Sequence, residues 1–294
     1  MNDEGVSVII PTYNRAYILS EAIKSALGQT YKDIEVIVCD DCSTDNTEQV
    51  VRQFNDNTII YHKNNRNLGL PKNRNVGIAL SRFRFIIFWE DDITFELDGV
   101  QLLVDAAIQL EQKGIKIGAV SPRVVEEPKK GKLLSLETAV ANNVRSKLDK
   151  PSHISKWTGL MFKNLIIERD EVLETELVNP WSLYNKAAIQ DVKGFSPLFW
   201  RIVGYSHEET DLFVRLVKKG YGLYYQSHSV SYHKHTKSGG TRVNQVRYSW
   251  NYFSAHILFL VKDYGWRSLY MIPCCIGYVG INVLKYLPKL VQNG

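Results

Sequence analysis

The feature that most constrains the fold of this chain is a regular alternation of short apolar runs with helical segments through its first half. Val6 to Ile10 is a β-rich run that Pro11 stops, and Leu19 to Leu27 then repeats apolar residues at helical spacing before Gly28. Further strands are predicted at Ile34–Cys39, Thr58–Tyr61, Phe85–Trp89 and Ile117–Val120, and further helices at Asp45–Phe54, Lys72–Leu80 and Leu97–Gln112. This alternation predicts an α/β fold with a mostly parallel sheet covered by helices on both faces.

Composition limits the class of protein and its partners. The 294 residues are 45% hydrophobic, which is enough for a full core, so we expect one catalytic domain with a C-terminal extension. The net charge of +5 is spread along the chain, without an Arg/Lys stripe interleaved with aromatics, so a nucleic-acid partner is not expected. The polar, acidic start and the four cysteines predict a cytoplasmic protein or one on the cytosolic face of a membrane.

Acidic clusters follow two of the predicted strands directly. Asp40-Asp41 ends the second strand and Glu90-Asp91-Asp92 ends the fourth, while Pro11 to Arg15 follows the first. Because ligands of such sheets bind beyond the carboxyl ends of the strands, these residues should meet at one edge. Converging carboxylates next to a diphosphate would hold Mg²⁺ or Mn²⁺, and a neighbouring aspartate could accept hydrogen bonds from a base or ribose.

The order and spacing of these motifs resemble the family 2 glycosyltransferases of the GT-A fold, which has a Rossmann-like sheet. The resemblance covers roughly residues 5 to 125 and rests on Val8 to Arg15, Asp40 to Asp45, Asn67-Leu68-Gly69 with Arg74-Asn75, and Glu90 to Asp92. It implies an inverting enzyme that uses a nucleotide sugar, with UDP the expected nucleotide. The implied donor-binding residues are Pro11, Thr12, Tyr13, Arg15, Asp40, Asp41, Asn67, Gly69, Arg74, Glu90 and Asp91.

The resemblance also implies a metal site and a loop over the donor. Asp92 would bind Mg²⁺ or Mn²⁺ as the last residue of the acidic motif, and His233 would complete the site. Glu90 stands where the family usually has Asp, which bears on the identity of the donor sugar rather than on the reaction. Thr236 to Arg242 would close over the donor phosphates, with Lys237 and Arg242 as counter-charges.

The second half of the chain carries the expected catalytic base. His207 to Leu212 resembles the acidic motif at the start of the family's acceptor-side helix, which implies Glu209 as general base with Glu208 and Asp211 as catalytic neighbours. Independently of the resemblance, inversion needs a carboxylate that faces the acceptor hydroxyl, opposite the leaving diphosphate. The alternative interpretation is that these acids only interact favourably with the helix N-terminus.

The predicted organisation is a donor-binding half at 1–125, an acceptor and base half at 126–248 and a helical extension at 249–294. Leu269 to Leu284 is apolar but shorter than the about 20 residues of a spanning helix. The extension either lies on a membrane interface as an amphipathic anchor, or packs on the catalytic core or on a second subunit. An oligomer formed through this extension therefore belongs to the expectations.

The leading hypothesis is transfer of a sugar to a glycan or lipid-linked acceptor. The alternatives are a polyprenyl-phosphate sugar synthase, which shares the donor half, and a catalytically silent glycan- or nucleotide-binding module. A nucleotidyltransferase would carry a Gly-rich basic loop where this chain has Pro11 to Arg15. P-loop and dinucleotide-binding enzymes are excluded because neither GxxxxGK[ST] nor GxGxxG follows a strand.

Overall fold

The computed structural model describes residues 4–126, 151–198, 207–234 and 245–278, without the side chains of 126 and 245–250. The polar stretch with Lys129, Lys130 and Lys132, for which the sequence predicts a loop, lies outside these residues, as does the predicted closing loop Thr236 to Arg242.

The described chain begins with the predicted alternation of strands and helices and then becomes less regular. The strands are β1 Val6–Thr12, β2 Ile34–Asp40, β3 Ile59–Lys63, β4 Phe85–Phe88, β5 Ile93–Phe95, β6 Ile117–Glu126, β7 Ser152–Ile154, β8 Met161–Lys163, β9 Leu173–Thr175, β10 Leu183–Asn185 and β11 Gly222–His233. The helices are α1 Ala16–Leu27, α2 Thr47–Arg52, α3 Leu70–Leu80, α4 Gly99–Gln112, α5 Lys186–Asp191, α6 Glu208–Lys218, α7 Gln245–Tyr264 and α8 268–278, with a 3₁₀ turn at Gly265–Arg267 before α8.

Nine of the described strands form one mixed sheet in the order β3-β2-β1-β4-β10-β6-β11-β5, with β9 paired to β11. The pairs β2–β3, β1–β2, β1–β4 and β6–β11 are parallel, which confirms the mostly parallel α/β fold. Strand β10 was not predicted, and it pairs antiparallel with both β4 and β6. A strand of three residues is too short to give a period-two signal in the sequence.

The two faces of the sheet carry separate apolar clusters. Along β1, Val8 and Ile10 point into one cluster with α1, α2 and α4, while Ile9 points into the other with α3, α5 and α6. The alternation follows from the period of two along a strand, so a continuous apolar run serves both faces. The division of the chain at residues 125 and 248 stays a prediction.

The spacing of Asp45 and Glu48 predicts a capping box at the start of α2, and this local prediction was wrong. Asp45 and Glu48 do not form a capping box: Asp45 accepts hydrogen bonds from the amides of Ala16 and Thr47, at 3.0 and 3.1 Å, and Glu48 pairs with Arg52. Asp45 thereby joins the starts of α1 and α2.

The C-terminal helices pack on the rest of the chain. Ala255, Phe259 and Leu260 of α7 and Met271 of α8 form a third apolar cluster with Val214 of α6. This part of the extension therefore contributes to the core, one of the alternatives that the sequence left open. Among the described helices, none is both long and apolar enough to cross a bilayer.

Candidate active site

The carboxyl ends of β1, β2 and β4 form one wall of a cleft. Parallel pairing places Thr12 beside Asp40, and the residues that follow β4 continue along the same edge. The cleft has a volume of about 400 Å³ and is lined by Pro11, Thr12, Tyr13, Arg15, Asp41, Asn67, Gly69, Leu70, Asn73, Glu90 and Asp91. Most of the predicted donor-binding residues thus line a single cavity, and Leu70 and Asn73 are additions that the motifs did not single out.

Asp40 lies behind this wall instead of lining it. Its carboxylate is fully buried and accepts hydrogen bonds from the Tyr61 hydroxyl at 2.6 Å and the Ser43 amide at 2.7 Å. The hydrogen bond and the charge of Asp40 join burial in raising the pKa of Tyr61, so the phenol remains a donor. The structure therefore gives Asp40 partners within the protein, and its expected contact with the nucleoside stays a prediction.

Asp41 organises the loop that forms the opposite wall. One carboxylate oxygen accepts from the Asn64 side chain at 2.9 Å and the Leu68 amide at 2.8 Å, and the other accepts from the Gly69 amide at 2.9 Å. Gly69 has φ +80°, a conformation that is strained for residues with a Cβ, and α3 begins directly after it. The glycine of the predicted motif thus lets the loop turn back against Asp41.

The acidic motif after β4 is neutralised by Arg15. The guanidinium of Arg15 lies 2.5 Å from Asp91 Oδ1 and 2.8 Å from Asp92 Oδ2, and Thr12 donates to the other Asp91 oxygen at 2.9 Å. Burial raises the pKa of Asp91 to about 7, with the charge of Asp92 in the same direction and Arg15 opposing it. The motif is therefore a concentrated negative site whose charge needs a counter-ion.

Asp92 fits the role of a metal ligand. Its Oδ1 atom is buried and has no hydrogen-bond partner among the described residues, which is costly for a carboxylate. His233, predicted to complete the metal site, has its Nε2 atom 3.9 Å from Asp92 Oδ2. The described residues do not contain a ready group of three His, Cys, Asp or Glu side chains around a metal position. The carboxylate oxygens of the acidic motif suit Mg²⁺ or Mn²⁺, and substrate oxygens or water would fill the remaining positions.

Arg74 joins the donor side to the acceptor side and does not line the cleft. It is fully buried, donates to Glu209 Oε1 at 2.7 Å, and also donates to Glu90. Its guanidinium lies over the ring of Phe195, 5.1 Å from the centroid. The resemblance implied that Arg74 borders the nucleotide; the structure instead places it as a bridge between two carboxylates.

The three acids of α6 differ in their surroundings. Glu209 keeps 19% of its side chain exposed at the head of the helix, whereas Glu208 is buried. Asp211 is fully buried and forms ion pairs with Arg215 and with Lys262 of α7. Asp211 was expected beside the base as a catalytic neighbour, but it faces the opposite direction because it lies half a turn from Glu209 on the helix.

The helix also differs from expectation on its apolar face. The spacing of Leu212, Phe213, Leu216 and Val217 predicts an apolar face behind the acids; the first three are buried, but Val217 is 48% exposed. Sequence reasoning missed Lys163 of β8, which is half-buried near Glu209; loss of solvent contact lowers the pKa of Lys163, and the charge of Glu209 opposes this. A single lysine in a short irregular strand carries no sequence signal that could have identified it.

The family model and the curated relatives described here are those of glycosyltransferases. The model of the family described as Glycosyl transferase family 2 matches residues 7–166, more than half of the chain. A UDP-Glc:α-D-GlcNAc-diphosphoundecaprenol β-1,3-glucosyltransferase of Escherichia coli, WfaP, is 42% identical over 89 residues, which are 30% of this chain and 36% of that protein. A GalNAc(5)-diNAcBac-PP-undecaprenol β-1,3-glucosyltransferase of Campylobacter jejuni is 43% identical over 90 residues, 30% of this chain and 29% of that protein. The matches thus span about a third of these curated relatives.

The fold is also that of a solved structure. Residues 1–349 of TarS from S. aureus, crystallised with UDP-GlcNAc, superpose with a TM-score of 0.59 at 18% identity. The superposition covers 88% of this chain and 67% of the TarS chain. At this identity the likeness concerns the fold.

Proposed function

Because the chain belongs to glycosyl transferase family 2, we propose that it transfers a sugar from a nucleotide sugar to an acceptor hydroxyl with inversion at the anomeric carbon. The observation that carries the proposal is the bridge through Arg74. The Arg74 guanidinium donates hydrogen bonds both to Glu90 at the donor cleft and to Glu209 at the head of α6, although these two glutamates are far apart in sequence. An inverting displacement needs such a pair of facing groups, one side for the leaving group and one for the incoming oxygen.

Glu209 would act as the general base. Its carboxylate takes the proton of the acceptor hydroxyl as the oxygen forms a bond to the anomeric carbon, and the bond from that carbon to the diphosphate breaks with its electron pair. Arg74 positions Glu209 through one carboxylate oxygen while part of the side chain stays accessible.

Asp92, with His233 beside it, would hold a divalent cation, Mg²⁺ or Mn²⁺. The cation would neutralise the charge that develops on the leaving nucleoside diphosphate. Pro11, Tyr13 and Asp41 would border the nucleoside, since they line the cleft. Arg15 lies at the rim of the same cleft and contacts the carboxylates of Asp91 and Asp92. When donor binds, Arg15 would leave Asp92 and contact the donor phosphates instead.

We infer a UDP-sugar donor and a lipid-linked glycan acceptor. The support is that the two curated relatives described above are named for undecaprenol-diphosphate acceptors, that WfaP is named for UDP-glucose, and that TarS was crystallised with UDP-GlcNAc. A polyprenyl-phosphate sugar synthase remains the alternative within the same family. A polyprenyl phosphate and a short-chain polyprenyl diphosphate glycan, offered as competing acceptors, distinguish the two.

A peripheral contact with the membrane would bring the enzyme to such an acceptor. Trp157 and Trp266 are more than 70% exposed, and both lie within 6.4 Å of Tyr270, measured between ring centroids. Leu269 on the same helix as Tyr270 is 80% exposed. Together with Ile276, these residues form what we call the aromatic patch. Indole and phenol rings beside basic residues favour the interface of a bilayer.

The experiment that tests the proposed function is a screen of UDP-sugars for hydrolysis in the presence of Mn²⁺, with Glu209→Gln as the diagnostic variant. The substitution keeps the shape and removes the base, so turnover should fall by about 10²- to 10⁴-fold while UDP affinity stays unchanged. Glu48→Gln, an exposed glutamate paired only with Arg52 in the described structure, serves as the matched control. Parental turnover in Glu209→Gln would show that the base lies elsewhere. If the protein hydrolyses none of the UDP-sugars, a catalytically silent binding module is favoured.

A further inference from the structure

Two buried histidines connect the start of α6 to α7. His207 is the N-cap of α6, and its Nε2 atom lies 3.1 Å from Nδ1 of His256 on α7. The Nε2 atom of His256 in turn lies 3.2 Å from the carbonyl oxygen of Thr158. Both imidazoles are almost completely buried, at 3% and 2% exposure. The two rings and the carbonyl therefore form a continuous chain of hydrogen bonds inside the protein.

The hydrogen-bond partners of the two histidines determine which of their ring nitrogens carry protons. A carbonyl oxygen only accepts, so His256 Nε2 carries the proton and donates to Thr158. The Nδ1 atom of neutral His256 is then an acceptor, and His207 Nε2 donates to it. Both Nε2 atoms thus carry a proton, His256 is neutral, and the chain of donors runs from His207 to Thr158.

The surroundings favour this neutral state. Burial lowers the pKa of His207 to about 3, and the charges of His256 and Lys163 act in the same direction. Burial also lowers the pKa of His256. The rings of Tyr252 and Phe259, with centroids 4.8 and 5.7 Å from that of His207, enclose it on the side of α7.

The backbone of His207 explains why such a support is needed. Its φ of +66° is in the left-handed region, which is uncommon and costly for a residue with a Cβ. Its carbonyl accepts the first hydrogen bond of the helix, from the Asp211 amide at 2.8 Å. Glu209 is two residues farther along, so a rotation at His207 moves the carboxylate away from Arg74.

The Thr158 end of the hydrogen-bond chain is held in place as well. Gly159, next to Thr158, packs so closely on α7 that an added Cβ would lie 2.2 Å from Leu260 Cδ2. Two residues later, Met161 Sδ accepts from the Thr210 hydroxyl of α6 at 3.0 Å. The carbonyl that accepts from His256 is therefore held between α7 and the first turn of α6.

We propose that His256 is a positioning residue for the general base: through His207 it holds the first turn of α6 in the conformation that directs Glu209 to Arg74. The proposal rests on the proposed role of Glu209. The proposal gives α7 a part in the chemistry, although none of its described residues lines the donor cleft.

Two substitutions separate the hydrogen bonds of His256 from its packing. His256→Phe keeps a ring of similar size and removes both bonds, so kcat for hydrolysis of the most active UDP-sugar should fall about tenfold, with the Kd for UDP changed less than about twofold. His256→Asn returns an acceptor near the Nδ1 position and should recover most of that loss. His153→Phe is the matched control, because His153 stacks on Phe162 across the β7–β8 hairpin and makes none of the hydrogen bonds of the chain from His207 to Thr158.

A readout without turnover separates this proposal from the proposed function. In protein labelled with ¹⁵N, both histidines should show an unprotonated Nδ1 and a protonated Nε2 at pH 6. The guanidinium signals of Arg74 should shift in His256→Phe and not in His153→Phe, because they report the contact with Glu209. Unchanged Arg74 signals, a protonated Nδ1, or parental kcat in a folded His256→Phe would each overturn the proposal, whether or not a UDP-sugar is hydrolysed. Parallel losses of kcat and UDP affinity would instead indicate a general structural role.

Discussion

At the scale of single residues, the two carboxylate oxygens of Asp92 have different surroundings. Its buried Oδ1 atom accepts no hydrogen bond from the described residues, while Arg15 holds Oδ2 at 2.8 Å. Arg15 neutralises the motif in this structure, so a cation and the arginine would compete for the same carboxylate. Such a competition would let the site be stabilised by Arg15 without donor and bind a metal with it.

We expect Asp92→Asn to abolish the gain in UDP affinity that Mn²⁺ gives, a loss of at least about tenfold, because the amide cannot neutralise the cation. Titration calorimetry with UDP, with and without Mn²⁺, measures the effect. Asp98→Asn changes an exposed aspartate of the following loop and should behave like the parent. Equal UDP affinity and turnover in excess chelator would contradict the metal assignment.

The burial of His207 leads to a second prediction, about how the free energy of unfolding depends on pH. Its pKa is 6.5 in the unfolded reference and about 3 when folded, so the unfolded chain binds more protons between these values. The stabilisation from neutral His207 is therefore complete above about pH 6.5 and is lost as the pH falls toward 3, by up to about 1.4 kcal/mol per pH unit. In His207→Asn, where asparagine tolerates the left-handed backbone, the decrease in unfolding free energy between pH 7.5 and 5 should be smaller.

Urea denaturation at several pH values measures this difference. His228→Asn, at an exposed position of β11, is the control and should keep the parental slope. If His207→Asn also keeps that slope, His207 is protonated in the folded protein or is not buried in solution.

At the scale of elements, α6 has two functions on two of its faces. Its first turn presents Glu209 to Arg74, and the opposite side binds α7 through the ion pair of Asp211 with Lys262. The apolar part of the same contact joins Val214 to Phe259 and Leu260. The helix that carries Glu209, the proposed base, is therefore packed against another helix beyond residues 7–166, the segment matched by the family model.

Phe259 is the largest fully buried side chain of α7, and Phe253 on the same helix is 38% exposed. Phe259→Ala should lower the free energy of unfolding by about 3–5 kcal/mol through lost burial and the cavity it leaves. Phe253→Ala, as the matched control, should lower it by less than about 1 kcal/mol. Guanidinium denaturation compares the two, and equal effects would mean that α7 does not pack on α6 in solution.

At the scale of the whole molecule, the aromatic patch and the donor cleft are different surfaces. The cleft is lined by residues of the first half of the chain, whereas the patch is formed by Trp157 and the C-terminal turn and helix. Arg267 lies over the ring of Trp266, 5.9 Å from its centroid, and adds positive charge to the patch. A bilayer bound there would leave nucleotide binding independent of the lipid.

We expect Trp266→Ser with Leu269→Ser to weaken binding to phosphatidylglycerol vesicles by about tenfold or more, since each large apolar side chain contributes about 1.5–3 kcal/mol when buried. UDP affinity should not change. Vesicle cosedimentation measures the binding, and Leu97→Ser, at an exposed leucine outside the patch, is the control. Equal binding by all variants would move the membrane contact elsewhere, and an altered oligomeric state in the double variant would indicate that the patch is covered by a second copy.

The sequence by itself determined the layout of the first half, because apolar period and strand length are local properties. It predicted α3 to within two residues of its start, and it placed Asp41, Glu90 and Asp91 at one edge, since parallel strands end on the same side of a sheet. The motif order further indicated the family, which the match over residues 7–166 confirmed. Each of these inferences needs only neighbouring residues or the general rules of α/β sheets.

Only the tertiary structure decided which polar groups meet across the chain. The contact of Arg74 with Glu209, the burial of Asp40 behind Tyr61, the turn of Asp211 toward Lys262 and the pair of His207 with His256 all join distant segments. A carboxylate in a motif has the same sequence signature whether it faces a ligand or an arginine. Which of the two it faces depends on the path of the whole chain, because a side chain's partners are set by packing between elements rather than by its neighbours in sequence.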